Sequence, residues 1–377
     1  MPERRISFAP GPAMLPTEVV TAFQAAVTSY GTTGLGILEL GHRSTEFADL
    51  LDDTLARVRD LVGVPDTHEV LILHGGARMQ FAMLPANLLP PGRSADYLNS
   101  GHFAHDAASE ARSHGTVHTI GPTSTGYRRL PDPSTHTCAP APAYLHYTSN
   151  NTEIGTQYAA PPPVPAGSWL ACDASSDILT RPFDVAGHGV IYATAHKNLG
   201  TAGLALVIID RAQLAPARRL PAYFSYDVHA RAGSCYNTPP IASILTLNLM
   251  LRWIGDAGGA AEMSRRSRTK AALLYDAIDS SDFYTGLVNP DHRSLVNVTF
   301  TAPTAELEHQ FLAEAGLQGM DGLWGYRKVG HLRASLFNAI SIEHCERLAH
   351  FMTHFAARRR RTTLSGHTIA ATTLDSA

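Results

Sequence analysis

A series of short apolar runs, in which hydrophobic and polar residues do not alternate, constrains the fold of this chain more than any other feature. A strand that is covered by other elements on both faces has no polar face, so its sequence is a continuous apolar run. Such runs therefore predict a largely parallel sheet that is buried between layers of helices. The runs are EVLILHGG (69–76), ADYLNSG (95–101), AYLHYTSN (143–150), SWLACDAS (168–175), GVIYATAH (189–196) and LALVIID (204–210).

Segments with helical spacing lie between several of these runs, for example ARMQFAMLPANLL (77–89) and FAHDAASEARSHG (103–115). Strands that alternate with helices predict an α/β domain. The pattern changes near residue 256, where a long helical stretch ends, and beyond it strands and helices are mixed as in a smaller α+β domain. We therefore predict an N-terminal arm (1–15), a large α/β domain (16–256), a small C-terminal domain (257–361) and a flexible tail (362–377).

Composition and charge argue against several classes of function. Of the 377 residues, 44% are hydrophobic and 17% are charged, which is typical of a globular protein. The formal net charge of −3 gives no general attraction to nucleic acid or to an anionic membrane. No apolar run approaches the roughly 20 residues that span a bilayer, and the N-terminus lacks the apolar core of a secretory signal. The four cysteines show no C-x-x-C spacing, so we expect a cytoplasmic protein with reduced thiols and no metal site.

Lys197 follows the run GVIYATAH at once and precedes two glycines, Gly200 and Gly203. A lysine at this place has a simple structural explanation, because its amine reaches solvent at the end of a buried strand. A functional explanation is that Lys197 forms a Schiff base with an aldehyde cofactor such as pyridoxal phosphate. The lysine alone does not decide between the two, but the cofactor makes further demands on the sequence.

Other strand ends carry residues that pyridoxal phosphate requires. Asp173 offers an acid beside the pyridine nitrogen, which keeps the ring protonated, although a strand-end cap is the alternative explanation. Gly76, Ala77 and Arg78 stand between a strand and a helix, where free amides favour a phosphate, unless the glycines only form a tight turn. Phe103 offers an aromatic face to the ring. Together with Lys197, these features favour a pyridoxal-phosphate enzyme.

Eight blocks of sequence, in this order, resemble the phosphoserine aminotransferases, a family of class-V, fold-type-I pyridoxal-phosphate enzymes. The resemblance extends from about residue 6 to about residue 350. It implies a large α/β domain with a mostly parallel seven-stranded sheet, a smaller C-terminal α+β domain, pyridoxal 5'-phosphate as cofactor, and a homodimer with shared sites. The blocks are SFAPGPAMLP, ILELGHRSTEF, GGARMQFAMLPANLL, HYTSNNTEIG, DASSDILTRPFDV, IYATAHKNLGTAGLALVII, CYNTPP and GYRKVGHLRASLFNAI.

The resemblance also implies roles for individual residues. Lys197 is expected to be the catalytic Schiff-base lysine, and Asp173 its catalytic partner at the pyridine nitrogen. The expected cofactor-binding residues are Gly76, Ala77, Arg78, Phe103, Thr152, Asp173, His196 and Lys197, with Asn237 and Thr238 contributed by a neighbouring subunit. The expected substrate-binding residues are His42, Arg43, Tyr326 and Arg327 for a distal anion, and Arg333 for the α-carboxylate.

Several positions differ from the residues that are usual in the family. Phe103 replaces a tryptophan, His196 replaces a glutamine, and the loop NNTEIG (150–155) stands in place of NETIHG. Tyr326 replaces a histidine, and a neutral phenol cannot carry the positive charge of a histidine toward phosphate. His331, at a usual glycine position, either restores that charge or only fills space, and both interpretations stay open.

The activity that the resemblance implies is transfer of an amino group between glutamate and 3-phosphohydroxypyruvate, as in serine biosynthesis. One alternative is a paralogue that transfers the amino group to another phosphorylated, phosphonylated or acidic keto compound in a specialised pathway. A second alternative is β-elimination or replacement on a phosphoserine-like substrate, which would use the same Lys197 and Asp173. In each case we expect small amino and keto acids as partners, and neither nucleic acid nor membrane.

Overall fold

The computed structural model describes residues 4–122, 126–131 and 137–371, with side chains described as far as residue 359. The strands are β1 (Ile6–Ser7), β2 (His68–Gly75), β3 (Ser94–Leu98), β4 (Thr116–Ile120), β5 (Leu145–Thr148), β6 (Asn150–Asn151), β7 (Thr156–Gln157), β8 (Leu170–Asp173), β9 (His188–Thr194), β10 (Gly203–Asp210), β11 (Thr285–Gly286), β12 (Asn297–Thr301), β13 (Met320–Asp321) and β14 (Leu332–Ser335). The helices are α1 (Thr17–Thr28), α2 (Thr45–Val62), α3 (Ala77–Leu88), α4 (His102–Ala111), α5 (Tyr226–Arg231), α6 (Ile241–Asp256), α7 (Gly259–Asp279), α8 (Ala305–Leu317) and α9 (Ile342–Ala371).

Seven strands form the central sheet, in the order β2–β10–β9–β8–β5–β3–β4. Neighbouring strands are parallel except for β10, which is antiparallel to β2 and β9. The mostly parallel seven-stranded sheet implied by the resemblance is confirmed. Each of the six apolar runs overlaps one of these strands. The seventh strand, β4, lies at the edge of the sheet and is only partly buried, so no apolar run marks it.

Helices cover both faces of the sheet, which explains why its strands have no polar face. Every residue of β9 is buried, and its successive side chains enter different cores. Ile191 and Ala193 join one core, whereas Val190 and Tyr192 join the other. The first core also contains side chains of α2 and α6, and the second contains side chains of α3 and α4. The carboxyl ends of the parallel strands meet at one edge, where sheets of this kind hold their ligands.

A separate hydrophobic core holds the C-terminal part of the chain together. The antiparallel strands β11, β12 and β14 form a three-stranded sheet. Side chains of α7, α8 and α9 are buried in the same core, among them Leu274, Phe311 and Phe355. This body is the smaller α+β domain that the sequence implied.

The N-terminal residues pack with this second core. Ile6 and Phe8 are buried in it, and β1 pairs in parallel with β13. Helix α6 ends at Asp256 and α7 begins at Gly259, so the predicted domain boundary falls between two helices. Helix α9 continues into the segment that was predicted to be a flexible tail, and residues 372–377 of that segment lie outside the described residues.

Over the described ranges, no helix has the length and apolarity needed to cross a membrane. The same residues contain no group of three or more His, Cys, Asp or Glu side chains arranged to hold a metal ion. The four cysteines are free thiols.

Candidate active site

A cavity of about 350 Å³ lies at the carboxyl ends of the parallel strands. It brings together eight of the ten residues that the resemblance assigned to the cofactor. Their segments are distant in sequence, but they meet because β2, β3, β5, β8 and β9 all end at the same edge of the sheet. The eight residues are Gly76, Ala77, Arg78, Phe103, Thr152, Asp173, His196 and Lys197.

Lys197 lies in the turn that follows β9 and points into this cavity. Its ammonium Nζ donates a hydrogen bond to Oγ1 of Thr152, at 2.7 Å. Burial lowers the pKa of Lys197, while the negative charges of Asp173 and Glu153 raise it. A lowered pKa increases the fraction of free amine, which is the form that attacks an aldehyde.

Asp173 is the last residue of β8 and is 3% exposed. Its Oδ1 accepts a hydrogen bond from the backbone N–H of Ser175, at 2.9 Å. Burial raises the pKa of Asp173, while the hydrogen bond from Ser175 and the charge of Lys197 lower it. A buried carboxyl group in the same cavity as a lysine amine is suited to hold a proton on a ring nitrogen.

The start of α3 provides the expected phosphate cradle. Gly76 is the N-cap of this helix, and no side chain caps it. The N–H of Met79 donates to the carbonyl oxygen of Gly76, so the N–H groups of Ala77 and Arg78 are the ones available to an anion. A Cβ on Gly76 would lie 3.0 Å from Oγ1 of Thr194, which explains the glycine. Thr194 Oγ1 is also 2.9 Å from Nδ1 of His196. Burial and the charge of Lys197 lower the pKa of His196, which favours a neutral imidazole there.

Phe103 lies at the start of α4 and gives the cavity an aromatic wall. Lys197 Nζ is 5.8 Å from the centroid of its ring, and the Arg78 guanidinium carbon is also 5.8 Å from it. Tyr326 lies beyond Phe103, with 6.1 Å between the ring centroids. Tyr326 itself does not line the cavity, and its substrate role stays a prediction.

Arg333 reaches the site from β14 of the small domain. It is 3% exposed, and burial lowers its pKa to about 10. One terminal nitrogen donates to the carbonyl oxygen of Thr152 at 3.3 Å, and the other to that of Trp324 at 3.4 Å. Its Nε is buried without a partner among the described residues. A buried guanidinium with a free donor is suited to bind a carboxylate.

The five remaining predicted residues do not line the cavity in this chain. Arg43, Arg327 and Thr238 are exposed, whereas His42 and Asn237 are partly buried. Asn237 donates a hydrogen bond to the carbonyl oxygen of its neighbour Thr238, at 3.3 Å.

His331 has a backbone φ of 69°, in the left-handed region that favours glycine. Its Nδ1 is 4.0 Å from Oε1 of Glu308 in α8. The imidazole also lines a second cavity of about 200 Å³, together with His102, Arg128 and Lys328. The structure therefore places His331 outside the cofactor cavity.

The site also contains residues that were not expected from the sequence. Ser175, Ser176 and Thr194 line the cavity, and their signal was the cluster of polar residues at the ends of the runs SWLACDAS and GVIYATAH. Glu153 is buried beside Thr152, and nothing in a single sequence shows that this carboxylate is buried.

The residues of the cavity fit pyridoxal phosphate. The cavity combines a lysine amine, a buried carboxyl group, an uncapped helix start and an aromatic wall, and a buried guanidinium with an unpartnered Nε lies beside it. Together with the layered fold, these features define a fold-type-I pyridoxal-phosphate enzyme. The sequence model of the class-V aminotransferases matches residues 6–348, and the chain belongs to that family.

Within the family, the chain is similar to phosphoserine aminotransferases. It is 43% identical to the enzyme of Herpetosiphon aurantiacus over 356 residues, which are 94% of this chain and 99% of the relative. It is 42% identical to the enzyme of Halalkalibacterium halodurans over 361 residues, which are 95% of this chain and 100% of the relative. The solved phosphoserine aminotransferase of Bacillus circulans subsp. alkalophilus matches with a TM-score of 0.92 and 41% identity, over 95% of this chain and 99% of that one. The chain is an aminotransferase that depends on pyridoxal phosphate.

Proposed function

We propose that this aminotransferase moves an amino group between glutamate and 3-phosphohydroxypyruvate, with O-phosphoserine as the product. The observation that carries the proposal is the grouping of Lys197, Asp173 and Arg333 around one cavity, since each has a distinct task in transamination. The similarity to phosphoserine aminotransferases over nearly the whole chain supports this choice of substrates.

The cofactor, when bound, supplies an aldehyde carbon that receives the amino group and a protonated ring that withdraws electrons. Lys197 would hold the cofactor through its amine, and in its free form that amine would lie near the α-carbon of a bound amino acid. Because burial lowers its pKa, this amine accepts the α-proton and later returns it. Thr152, whose Oγ1 accepts the hydrogen bond from Lys197, orients the amine.

Asp173 and Arg333 orient the reactants and control charge. The buried carboxyl group of Asp173 holds the proton on the ring nitrogen, which maintains electron withdrawal. Arg333 binds the α-carboxylate, which amino donors and keto acceptors share, and its burial excludes water from that contact. One arginine therefore serves both half-reactions.

We also propose a homodimer, in which Asn237 and Thr238 of the partner subunit complete the phosphate cradle. His42 and Arg43 of the partner subunit would contribute to the distal anion site. This is supported by the absence of these four residues from the cavity of their own chain and by exposed apolar side chains near them in sequence. Leu35 is 46% exposed, Leu38 is 65% exposed and Tyr236 is 46% exposed, as expected of a surface that a partner covers.

A second acceptor stays a candidate because of Tyr326. The ring centroid of Tyr326 lies 6.1 Å from that of Phe103, and the resemblance places a histidine, which can carry a positive charge toward phosphate, at this position. A phosphonylated or acidic keto compound would place a different anion there, and Arg43 and Arg327 would still bind it.

Half-reactions of the cofactor-loaded protein distinguish these proposals. Glutamate and O-phosphoserine are added separately, and conversion of the visible absorbance band to that of the amino form of the cofactor is followed. Conversion by both supports the proposed function. Conversion by glutamate alone would instead favour the second candidate, in which the acceptor is a different keto compound. Release of inorganic phosphate from O-phosphoserine with an unchanged band would instead indicate β-elimination.

A further inference from the structure

The loop between β6 and β7 contacts several parts of the active site at once. Thr152 accepts a hydrogen bond from Lys197 through its hydroxyl and one from Arg333 through its carbonyl. The next residue, Glu153, accepts a hydrogen bond through Oε1 from the backbone N–H of His102, at 2.7 Å. Glu153 has no role in the amino transfer proposed above.

Glu153 is a buried carboxylate, with 2% of its surface exposed. Its second oxygen, Oε2, has no hydrogen-bond partner among the described residues. A buried carboxylate is unfavourable unless nearby opposite charges compensate for the lost hydration. Lys197 and Arg333 both contact the preceding residue, Thr152, and the negative charge of Glu153 raises the pKa of both. The His102 imidazole also faces Glu153, with Nδ1 3.9 Å from Oε1. Burial raises the pKa of the Tyr127 phenol, and Glu153 adds to that shift. The charge states of Lys197 and Arg333 therefore depend in part on the carboxylate of Glu153.

Glu153 also contacts the start of α4. The N-cap of this helix, Gly101, has no side chain to cap it, so Glu153 supplies the acceptor for the first helical N–H, where a carboxylate is favoured by the helix dipole. A Cβ on Gly101 would lie 2.6 Å from Oδ1 of Asn151 and 2.6 Å from Oε1 of Glu153. The helix start is thus packed against the loop with no space for a larger residue.

Phe103 is the second residue of α4, and its ring lines the cofactor cavity. We propose that Glu153 is a positioning residue of the active site. Its hydrogen bond from the N–H of His102 holds the start of α4, and therefore the Phe103 ring, in place. Its negative charge balances the positive charges of Lys197 and Arg333. The cofactor and the carboxylate-binding role of Arg333 in this proposal rest on the function proposed above.

Three substitutions separate the two tasks of Glu153. Glu153→Gln keeps an oxygen acceptor for the His102 N–H but removes the charge. Glu153→Asp keeps the charge but shortens the side chain, so its oxygen no longer reaches that N–H. Glu110→Gln is the matched control, because it makes the same change at an exposed residue of α4, the helix that Glu153 contacts. All variants are purified with pyridoxal phosphate bound.

The charge is tested by titrating the visible absorbance of the bound cofactor. We expect Glu153→Gln to move the pH of the spectral change downward by about 0.5 unit or more, because a negative charge that favours the protonated Lys197 is lost. Glu153→Asp and Glu110→Gln should leave that pH within about 0.2 unit of the wild type. A shift in Glu153→Gln no larger than that of Glu110→Gln overturns the charge-balancing role.

The contact with α4 is tested by the visible circular dichroism of the bound cofactor and by its dissociation constant. We expect Glu153→Asp to change the dichroism and to weaken cofactor binding by about fivefold, since one hydrogen bond to a charged acceptor is lost. Combining it with Phe103→Leu should add little, because both changes act on the same ring. Wild-type dichroism and affinity in Glu153→Asp, or full additivity with Phe103→Leu, would overturn the positioning role. These readouts need only bound cofactor, so they are distinguishable from a failure of amino transfer in the wild-type enzyme.

Discussion

Burial controls the charges of the individual residues that form the active site. It lowers the pKa of Lys197 and that of Arg333, the latter to about 10, and it raises the pKa of Asp173. In each case the cause is the loss of hydration, which disfavours the charged form. Neighbouring opposite charges replace the lost water, so a change at one residue is expected to alter the protonation of the others.

Lys197 is predicted to be the only one of the chain's lysines that attaches the cofactor. Reduction of the loaded protein with borohydride, followed by peptide mass mapping, should place the cofactor mass on Lys197, because its amine lies in the cavity. Lys197→Ala should lose both the label and the visible band, whereas Lys328→Ala, at an exposed position, should keep them. A label on Lys270 or Lys328 in the wild-type protein would contradict the assignment.

At the scale of elements, buried polar groups connect helices and loops that are distant in sequence. Lys270 of α7 is 1% exposed, and its ammonium donates to the carbonyl oxygens of Leu336, Phe337 and Ile340 at 2.8, 3.0 and 3.0 Å. Those carbonyls lie between β14, which carries Arg333, and α9. The ammonium therefore connects α7 to the segment that follows β14.

Lys270→Met is predicted to lower the free energy of unfolding by about 3 kcal/mol, because it leaves three buried carbonyl groups without donors. Urea denaturation of the cofactor-loaded protein measures this change. Lys328→Met is the control, since it removes an exposed lysine and should change the midpoint little. Equal midpoints for the two variants would show that the carbonyl groups find other donors.

Asp53 connects α2 to α6 and gives stability a predicted dependence on pH. Its Oδ2 accepts from Arg57, Asn248 and Arg252 at 2.9, 2.7 and 3.0 Å, and these donors hold its pKa well below its usual range. The contribution is therefore present above the unfolded-state pKa of about 4 and is lost as the pH falls below it.

Asp53→Asn should accordingly lower the thermal midpoint at pH 7 by about 2 °C, and the difference from the wild type should shrink as the pH falls below about 4. The measurement is the thermal midpoint of both proteins across this pH range. Asp52→Asn, at an exposed neighbouring position, is the control and should show no such dependence. A difference that stays constant with pH would mean that the ion pairs do not stabilise the fold.

At the scale of the whole molecule, the site joins the two domains. The sheet of the large domain supplies Lys197 and Asp173, and β14 of the small domain supplies Arg333, which contacts the large domain through the carbonyl group of Thr152. A shift of one domain relative to the other would therefore move Arg333 relative to Lys197. The proposed homodimer adds a third source of residues, from the partner subunit.

Mixing two variants tests whether sites are shared between subunits. Lys197→Ala and Arg43→Ala are each expected to have little activity as homodimers. In a mixed dimer, one site would combine an intact Lys197 with Arg43 of the partner subunit, so random re-association should restore about a quarter of the wild-type activity. Activity no higher than the average of the two separate variants would place Arg43 in the site of its own chain. Sedimentation of the mixture checks that the subunits have re-associated into dimers.

The sequence by itself determined the layered α/β architecture, because continuous apolar runs such as that of β9 require cover on both faces. It also indicated the strand ends where Lys197, Asp173 and Phe103 stand, and the ordered blocks that identify the family. The partly buried edge strand β4 was not marked, because its residues lack that apolar continuity. The pairing of β1 with β13 was equally hidden, since a local pattern carries no information about which distant strand it meets.

Only the tertiary structure decided which side chains share one environment. Lys197 and Thr152 are separated by 45 residues but lie 2.7 Å apart, because β5 and β9 flank β8 and end at the same edge of the sheet. The burial of Glu153 and its hydrogen bond to the start of α4 follow from the same packing. Sequence pattern and composition report on residues that are close along the chain. Burial, and with it the pKa of each group, depends on residues that are distant in sequence and that the fold places nearby.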